Sequence, residues 1–279
     1  MPNAFPDAAT LRTVLDLASW APSAQNAQPW HWLVDSDGLH LDADWDRRLG
    51  DTPADRSDVL LSCGAVLHHC AVALAAAGWH PRIRRFPDGG AGRLASFELI
   101  ESSPVAASVE LASAIPRRRS DRREYGESAL APATLELLLI RAARLGVQMS
   151  VVPKDRWVRL GEGRIELSYG PVGDDQPPPS GPGDGVLLVL ATEADDDRSR
   201  LRAGEATSDL LLSATALDLA SCPLTEPLRD ARARLALACD VFDGEAHPQV
   251  LVRVGPAIVG APELPPGPRR PVAATTTWT

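Results

Sequence analysis

Three short segments of this 279-residue chain concentrate side chains able to hold a polar ligand. The first, Ala21-Pro22-Ser23-Ala24-Gln25-Asn26-Ala27-Gln28-Pro29-Trp30, places Ser23, Gln25, Asn26 and Gln28 within six residues. Hydroxyl and amide groups of this kind donate to and accept from the edge of a heterocycle. Taken alone, such a loop serves equally well to satisfy its own backbone by local capping bonds. The second is Arg118-Arg119-Ser120-Asp121-Arg122. In an extended segment alternate residues share a side. Arg118, Ser120 and Arg122 would then present two guanidinium forks and a hydroxyl together, a good receptor for a phosphate. Each charge-assisted bond there contributes about 1.5–3 kcal/mol. The wider run from Arg117 to Arg123 also suits a solvated surface or a docking patch. The third is Ala220-Ser221-Cys222-Pro223-Leu224-Thr225-Glu226-Pro227. Here the chain is expected to leave a long helix, which frees backbone N–H groups for a ligand or makes an ordinary helix-to-helix turn.

The elements that must position these segments follow from periodicity. Leu11, Val14, Leu15 and Ala18 recur at helical spacing and predict a helix ending near Trp20, where Ala21-Pro22 breaks it. Strands are expected at His31–Asp35 and Leu39–Ala43 around the turn Ser36-Asp37-Gly38. A second helix is expected from about Ser57 to Gly78, burying Val59, Leu60, Cys63, Val66, Leu67, Cys70 and Leu74, with strands near Arg82–Phe86 and Ser96–Glu101 after it. The second half repeats the rhythm with a helix over Pro132–Leu145 and a strand over Val147–Val152. Gly161–Gly185 reads as a glycine- and proline-rich loop holding one short strand, Arg164–Tyr169. Val186–Ala191 is an all-apolar run of the kind a strand buried on both faces requires. Helices over about Ser199–Leu219 and Arg229–Cys239 follow, then a strand over Gln249–Val254. The pattern predicts an α+β architecture of two similar halves, 1–110 and 111–260, with an extended tail over 261–279 whose end is expected to be mobile.

Bulk properties remove several function classes. A net charge of −9 disfavours a nucleic-acid partner. Lys154 is the only lysine, so arginine must do any anion binding, and no GxxxxGK phosphate loop exists. Gly181-Pro182-Gly183-Asp184-Gly185 precedes a strand and does not join strand to helix, so it is no dinucleotide fingerprint. The six histidines lack HExxH spacing, and adjacent His68 and His69 would point about 100° apart on a helix, a poor metal pair. No GxSxG nucleophile elbow appears. The four cysteines show no redox or metal spacing, and Cys63 and Cys70 lie too far apart on one helix to bridge, so reduced, mostly buried thiols are expected. The apolar run 186–191 is far short of a membrane span, and residues 1–10 have no signal-peptide pattern, which makes a cytoplasmic protein away from membranes the expectation.

Together, in this order, the three segments resemble those of nitroreductase-like flavoproteins. Ala21–Trp30 is similar to their APSxxNxQPW segment and Arg118–Arg122 to their RxSxR phosphate motif. Leu210–Leu224, followed by His247-Pro248-Gln249-Val250-Leu251-Val252-Arg253-Val254-Gly255, resembles their C-terminal helix, CPI-type turn and last core strand. Ordinary members carry RxSxR ahead of APSxxNxQPW in one subunit, and two subunits share each flavin site. Here the first half holds only the Ser/Asn loop and the second only RxSxR, as in the Acg-type family of actinobacteria, whose helix core Leu61-Ser62-Cys63-Gly64-Ala65 also matches.

The resemblance implies a nitroreductase-like fold fused as a pseudo-dimer, monomeric or further paired, with one composite site for flavin mononucleotide (FMN). Ser23, Asn26 and Gln28 would face the flavin, and Arg118, Ser120 and Arg122 would hold the phosphate, helped by Arg269 and Arg270. The backbone at Pro223, Thr225 and Glu226 would line the ring edge near its reactive N5. The implied activity passes electrons from NAD(P)H through FMN to a nitroaromatic or quinone; the alternative is a protein that stores or sequesters FMN without turnover. No catalytic side chain and no metal is implied. The interval between Val152 and Val186 departs from the family pattern, being shorter than the partly helical insertion usual there.

Overall fold

The computed structural model describes residues 5–36, 38–89, 92–169, 180–181 and 183–279. Two compact units emerge, the first formed by residues 1–117, 200–208 and 267–279, the second by 118–199 and 209–266.

In the first unit, helix α1 (Ala8–Ala18) opens at Asp7, whose carboxylate accepts from the Thr10 N–H at 2.7 Å, and buries Leu11, Val14, Leu15 and Ala18. Strands β1 (Trp30–Asp35) and β2 (Gly38–Ala43) form the expected hairpin, with Trp30 opposite Ala43. Helix α2 (Pro53–Ala76) begins with a capping box in which Thr52 and Asp55 each satisfy the other's backbone N–H, and Pro53 occupies the first helical position. Strands β3 (Trp79–Arg85) and β4 (Arg93–Glu101) and helix α3 (Ala106–Ala114) follow. The five-stranded sheet runs β11-β1-β2-β4-β3, where β11 (Thr276–Trp278) lies parallel to β1 and the remaining pairs are antiparallel.

Helix α2 is apolar almost all round, and by length and composition it could cross a membrane. Its most apolar window is 78% buried within the protein, which is how the central helix of a folded core presents itself. The longest unbroken apolar run of the chain, residues 70–77, covers the last turns of α2 and its C-cap, and isolated polar residues such as Ser62 and His69 keep the rest of the helix from reading as one continuous span. Leu60, Leu67 and Leu74 of α2 share a core with Trp30, Trp32, Phe97 and Leu201. Leu201 lies on helix α5 (Asp197–Ala216), whose residues 200–208 belong to this unit. Gly64 of α2 and Gly204 of α5 cross backbone to backbone: a Cβ on Gly64 would stand 2.0 Å from the Leu201 carbonyl oxygen, and one on Gly204 would stand 2.1 Å from that of Leu61.

In the second unit, helix α4 (Pro132–Arg144) leads to strand β5 (Gln148–Val151). Strands β6 (Trp157–Arg159) and β7 (Ile165–Leu167) pair as a small antiparallel ribbon. The main sheet has the order β5-β8-β10-β9, all antiparallel. Strand β8 (Val186–Thr192) is internal, as its unbroken apolar run predicts, beside β10 (His247–Pro256). Helix α6 (Ala231–Phe242) starts at Asp230, whose carboxylate accepts from two backbone N–H groups, and stops at Asp243 in a left-handed conformation. Its core joins Val152, Trp157, Leu187, Val189, Leu224, Leu237 and Leu251.

Two expectations are corrected. Helix α5 ends at Ala216, and Leu219–Leu224 is strand β9, so the segment expected to be a turn is a sheet edge. An edge tolerates Pro223, which has no N–H to contribute to a ladder. The C-terminal residues expected to be mobile instead pair through β11 with β1 and follow a four-residue helix, α7 (Val272–Thr275), because Thr276 finds a buried place beside Trp32. Residues 200–208 and 267–279 join the first compact unit. The loop expected over 161–185 holds β7, and its residues 170–179 and 182 lie outside the described ones.

Candidate functional site

The polar loop of the first unit leaves α1 at Ser19 and returns to the sheet at Trp30. Gln25, Asn26 and Gln28 all hold left-handed backbone angles, φ 46°, 58° and 50°. Each such residue costs on the order of 1–3 kcal/mol and persists only where its surroundings enforce it. The enforcing contacts are visible. The Ser23 hydroxyl accepts from the Gln28 N–H at 3.0 Å, and the Ala24 N–H donates to the Ser62 hydroxyl of α2 at 3.2 Å. The Asn26 amide donates to the Pro268 carbonyl at 2.9 Å while its oxygen accepts from Arg269 at 2.8 Å. The Gln28 side-chain oxygen accepts from the Arg270 N–H at 2.8 Å, and the Arg270 guanidinium donates to the Gln28 carbonyl at 2.9 Å and meets Asp44 at 3.3 Å. Ser23, Asn26 and Gln28 are therefore brought together, and Gln28 is buried.

Arg269 and Arg270 are expected beside the phosphate arginines by resemblance. In the structure these two residues clasp the Ser/Asn loop within the first unit, and Arg269 also lies over the Trp20 ring at 5.6 Å. Only tertiary contact reveals this, because some 240 residues separate the partners in sequence.

The second unit collects the arginine segment and the edge strand β9. Arg118 is buried and its Nη1 donates to the Ser120 hydroxyl at 3.3 Å. Arg122 instead reaches Glu226, Nη2 to Oε1 at 2.9 Å, with both side chains roughly half exposed. Glu226 also accepts from the Thr225 N–H at 3.2 Å. The Asp121 N–H donates to the Ser221 carbonyl at 2.9 Å, which ties the arginine loop to β9 two residues before Pro223. The predicted residues Arg118, Ser120, Arg122, Pro223, Thr225 and Glu226 thus lie on two adjoining segments. Their expected one-sidedness is only partial, since Arg118 is buried while Ser120 and Arg122 are exposed.

The donor set suits an anion. Residues 117–123 carry five arginines against one carboxylate, Asp121, which Arg123 grips through Nη2 at 2.7 Å. Burial alone would raise the Asp121 pKa, but the hydrogen bonds and charge of Arg123, with the charge of Arg253, hold it below the usual carboxylate range. The Arg122–Glu226 pair is exposed enough to exchange its carboxylate for another anion at small cost. The buried Ser221 hydroxyl of β9 and the Nη1 of buried Arg253 in β10 have no hydrogen-bond partner among the described residues. Cys222, opposite Arg253 in the β9–β10 pairing, is pushed up to about 11 by burial, so its thiol is neutral near pH 7.

Sequence reasoning missed Arg253, Tyr125 and Ser221. A lone charged residue inside Val250-Leu251-Val252-Arg253-Val254 was the available signal, because an internal strand excludes an unpartnered charge. Elsewhere, His68 and His69 both reach the Ser208 hydroxyl through Nδ1, at 2.8 and 2.7 Å, so they converge despite their helical offset. No group of three or more possible metal ligands occurs among the described residues.

No family model matches the chain. Curated proteins do. Over 98% of this chain and 93% of the relative, it is 41% identical to a Mycobacterium tuberculosis protein named "Putative NAD(P)H nitroreductase Rv3131". It is 30% identical, over 98% of this chain and 96% of the relative, to the same organism's "Putative NAD(P)H nitroreductase acg". The chain belongs to the Acg-type family of nitroreductase-like proteins. A crystal structure described as a putative nitroreductase from Anabaena variabilis superimposes with a TM-score of 0.58, covering 92% of this chain and 90% of that one at 11% identity. The α+β architecture is accordingly the nitroreductase-like fold. Alignments to the two Acg-type relatives run over 319 and 320 positions, more than this chain's 279 residues, so those relatives contain segments that this member lacks.

Proposed function

We propose that this Acg-type protein is an FMN-dependent oxidoreductase that takes electrons from NAD(P)H and delivers them to a nitroaromatic or quinone acceptor. The observation that carries the reading is the arginine loop of the second unit, a phosphate-grade donor set on a nitroreductase-like fold. The strained polar loop of the first unit and the names of the relatives support it.

In this reading Arg118, Ser120 and Arg122 hold the phosphate, with Arg122 exchanging Glu226 for the ligand. Ser23, Asn26 and Gln28 orient the ring system by hydrogen bonding, and Arg269 and Arg270 act through them by keeping the loop in its left-handed conformation. The backbone at Pro223, Thr225 and Glu226 borders the ring edge. When bound, the flavin supplies the two-electron chemistry, and the protein supplies position and electrostatics. No side chain acts as general acid or base. A cytoplasmic setting, where NAD(P)H is available, belongs to the same reading.

The test is the visible spectrum of purified protein with FMN, followed by NADPH or NADH without oxygen. Bound flavin whose bands bleach is the expected result. Bound flavin whose bands persist would favour storage or sequestration of FMN, and a protein that binds no FMN would overturn the proposal. Arg118→Ala or Arg122→Ala should weaken FMN binding by about 1.5–3 kcal/mol, roughly ten- to hundredfold.

A further inference from the structure

Arg253 stands in the interior of strand β10 with only 1% of its surface exposed, among Val250, Leu251, Val252 and Val254. A guanidinium is expensive to bury unless its donors are used. Its Nη2 donates to two backbone carbonyls of the arginine loop, those of Asp121 at 3.2 Å and of Arg123. Its guanidinium carbon lies 4.0 Å from the centre of the Tyr125 ring, a cation–π contact in a dry setting. The Tyr125 hydroxyl donates to the same Asp121 carbonyl at 2.7 Å.

The surroundings fix the same stretch from every side. The Asp121 N–H is held by Ser221, the Tyr125 N–H by the Gly183 carbonyl at 2.7 Å and the Gly126 N–H by the Pro256 carbonyl at 2.8 Å. A Cβ on Gly185 or Gly255 would stand 2.8 or 2.6 Å from the Tyr125 ring, and one on Gly163 would stand 2.0 Å from the Arg122 carbonyl. Glycine at these three positions is what lets ring and loop seat.

We propose that Arg253 is a positioning residue, which orients the Asp121–Arg122 and Arg123–Glu124 peptide groups and thereby aims the loop's donors at a phosphomonoester. In a planar trans peptide the C=O and the following N–H point in opposite directions. Drawing the Asp121 and Arg123 carbonyls toward Arg253 turns the N–H groups of Arg122 and Glu124 away from it. Those two N–H groups add to the Arg122 fork, so Arg253 confers preference for a phosphorylated ligand without touching it. The inference rests on the phosphate reading of the loop.

The experiment compares the affinities of the full-length protein for FMN and for riboflavin, which lacks the phosphate. Wild type should prefer FMN. Arg253→Lys, whose side chain is one bond shorter and lacks the planar guanidinium that rests on Tyr125 and reaches both carbonyls from Nη2, should lower that preference about tenfold or more while leaving riboflavin affinity unchanged. Tyr125→Phe keeps the ring beneath the guanidinium and removes one bond to the Asp121 carbonyl, so it should shift the preference in the same direction by less. A purely structural role would weaken both ligands alike. If wild type prefers FMN and Arg253→Lys keeps the full preference, the positioning role is wrong and the phosphate reading stands. If wild type shows no preference, the phosphate reading falls and this inference with it. Should Arg253→Lys fail to fold, an undiminished preference in Tyr125→Phe overturns the proposal.

Discussion

Substituting Gly64 by alanine tests the packing on which the first unit depends. In an uncrowded helix interior this change stabilises by about 1 kcal/mol, because alanine loses less backbone entropy than glycine. Here the new methyl would stand 2.0 Å from the Leu201 carbonyl oxygen, 2.9 Å from the Glu205 nitrogen and 2.9 Å from the Gly204 Cα, all backbone atoms that no rotamer change can move. Ordinary contact begins near 3.4 Å, so α2 and α5 must part locally by about 1.4 Å. A gap of only about 0.5–1 Å already forfeits a quarter to a half of each pairwise dispersion contact. Leu60 and Leu67 share their core with Leu201, so the loss spreads along the crossing. The net effect should lie near the upper end of overpacking costs, about 3 kcal/mol. For a chain of this size that lowers Tm by roughly 6–12 °C. Thermal unfolding followed by circular dichroism reads it directly. Gly161→Ala, where nothing lies within 4 Å, is the control and should leave Tm nearly unchanged. A Gly64→Ala protein as stable as wild type, or more stable, would refute the crossing.

Arg85 and Glu205 form a two-pronged pair within the first unit, both bonds at 2.6 Å, with the Glu205 side chain 3% exposed. Arg85→Met leaves that carboxylate buried without its cation and should cost about 3–5 kcal/mol in urea unfolding, much of it recovered by adding Glu205→Gln. Thiol titration should find one fast cysteine in the native protein, Cys239, and four after denaturation, because Cys63, Cys70 and Cys222 are buried and burial raises their pKa values. Asp121 has a folded pKa held below its unfolded value, so its contribution is present above the ordinary carboxylate range and disappears as pH falls through the depressed value. Asp121→Asn should therefore be less stable than wild type near pH 7, with the difference closing in acid; a pH-independent difference would show that the charge is not responsible.

The sequence by itself determined most elements and the makeup of each binding segment. Helical spacing at Leu11, Val14, Leu15 and Ala18 locates α1, and the unbroken run Val186–Ala191 locates an internal strand, because one periodic pattern suits one way of burying side chains. The residues Ser23, Asn26, Gln28, Arg118, Ser120 and Arg122 were legible as chemistry, since short polar segments keep their meaning wherever the chain carries them. Strand β9 was not legible: Leu219-Ala220-Ser221-Cys222-Pro223-Leu224 has no alternation, and it is a strand because β10 offers its backbone a partner. Nor could local pattern reveal that Arg269 and Arg270 hold Asn26 and Gln28, that Gly64 meets Gly204, or that Arg253 holds the loop from Asp121 to Arg123. These contacts join residues far apart in the chain. Local composition fixes what a segment is able to do, whereas the packing of distant segments decides which carbonyl, ring or carboxylate each side chain meets.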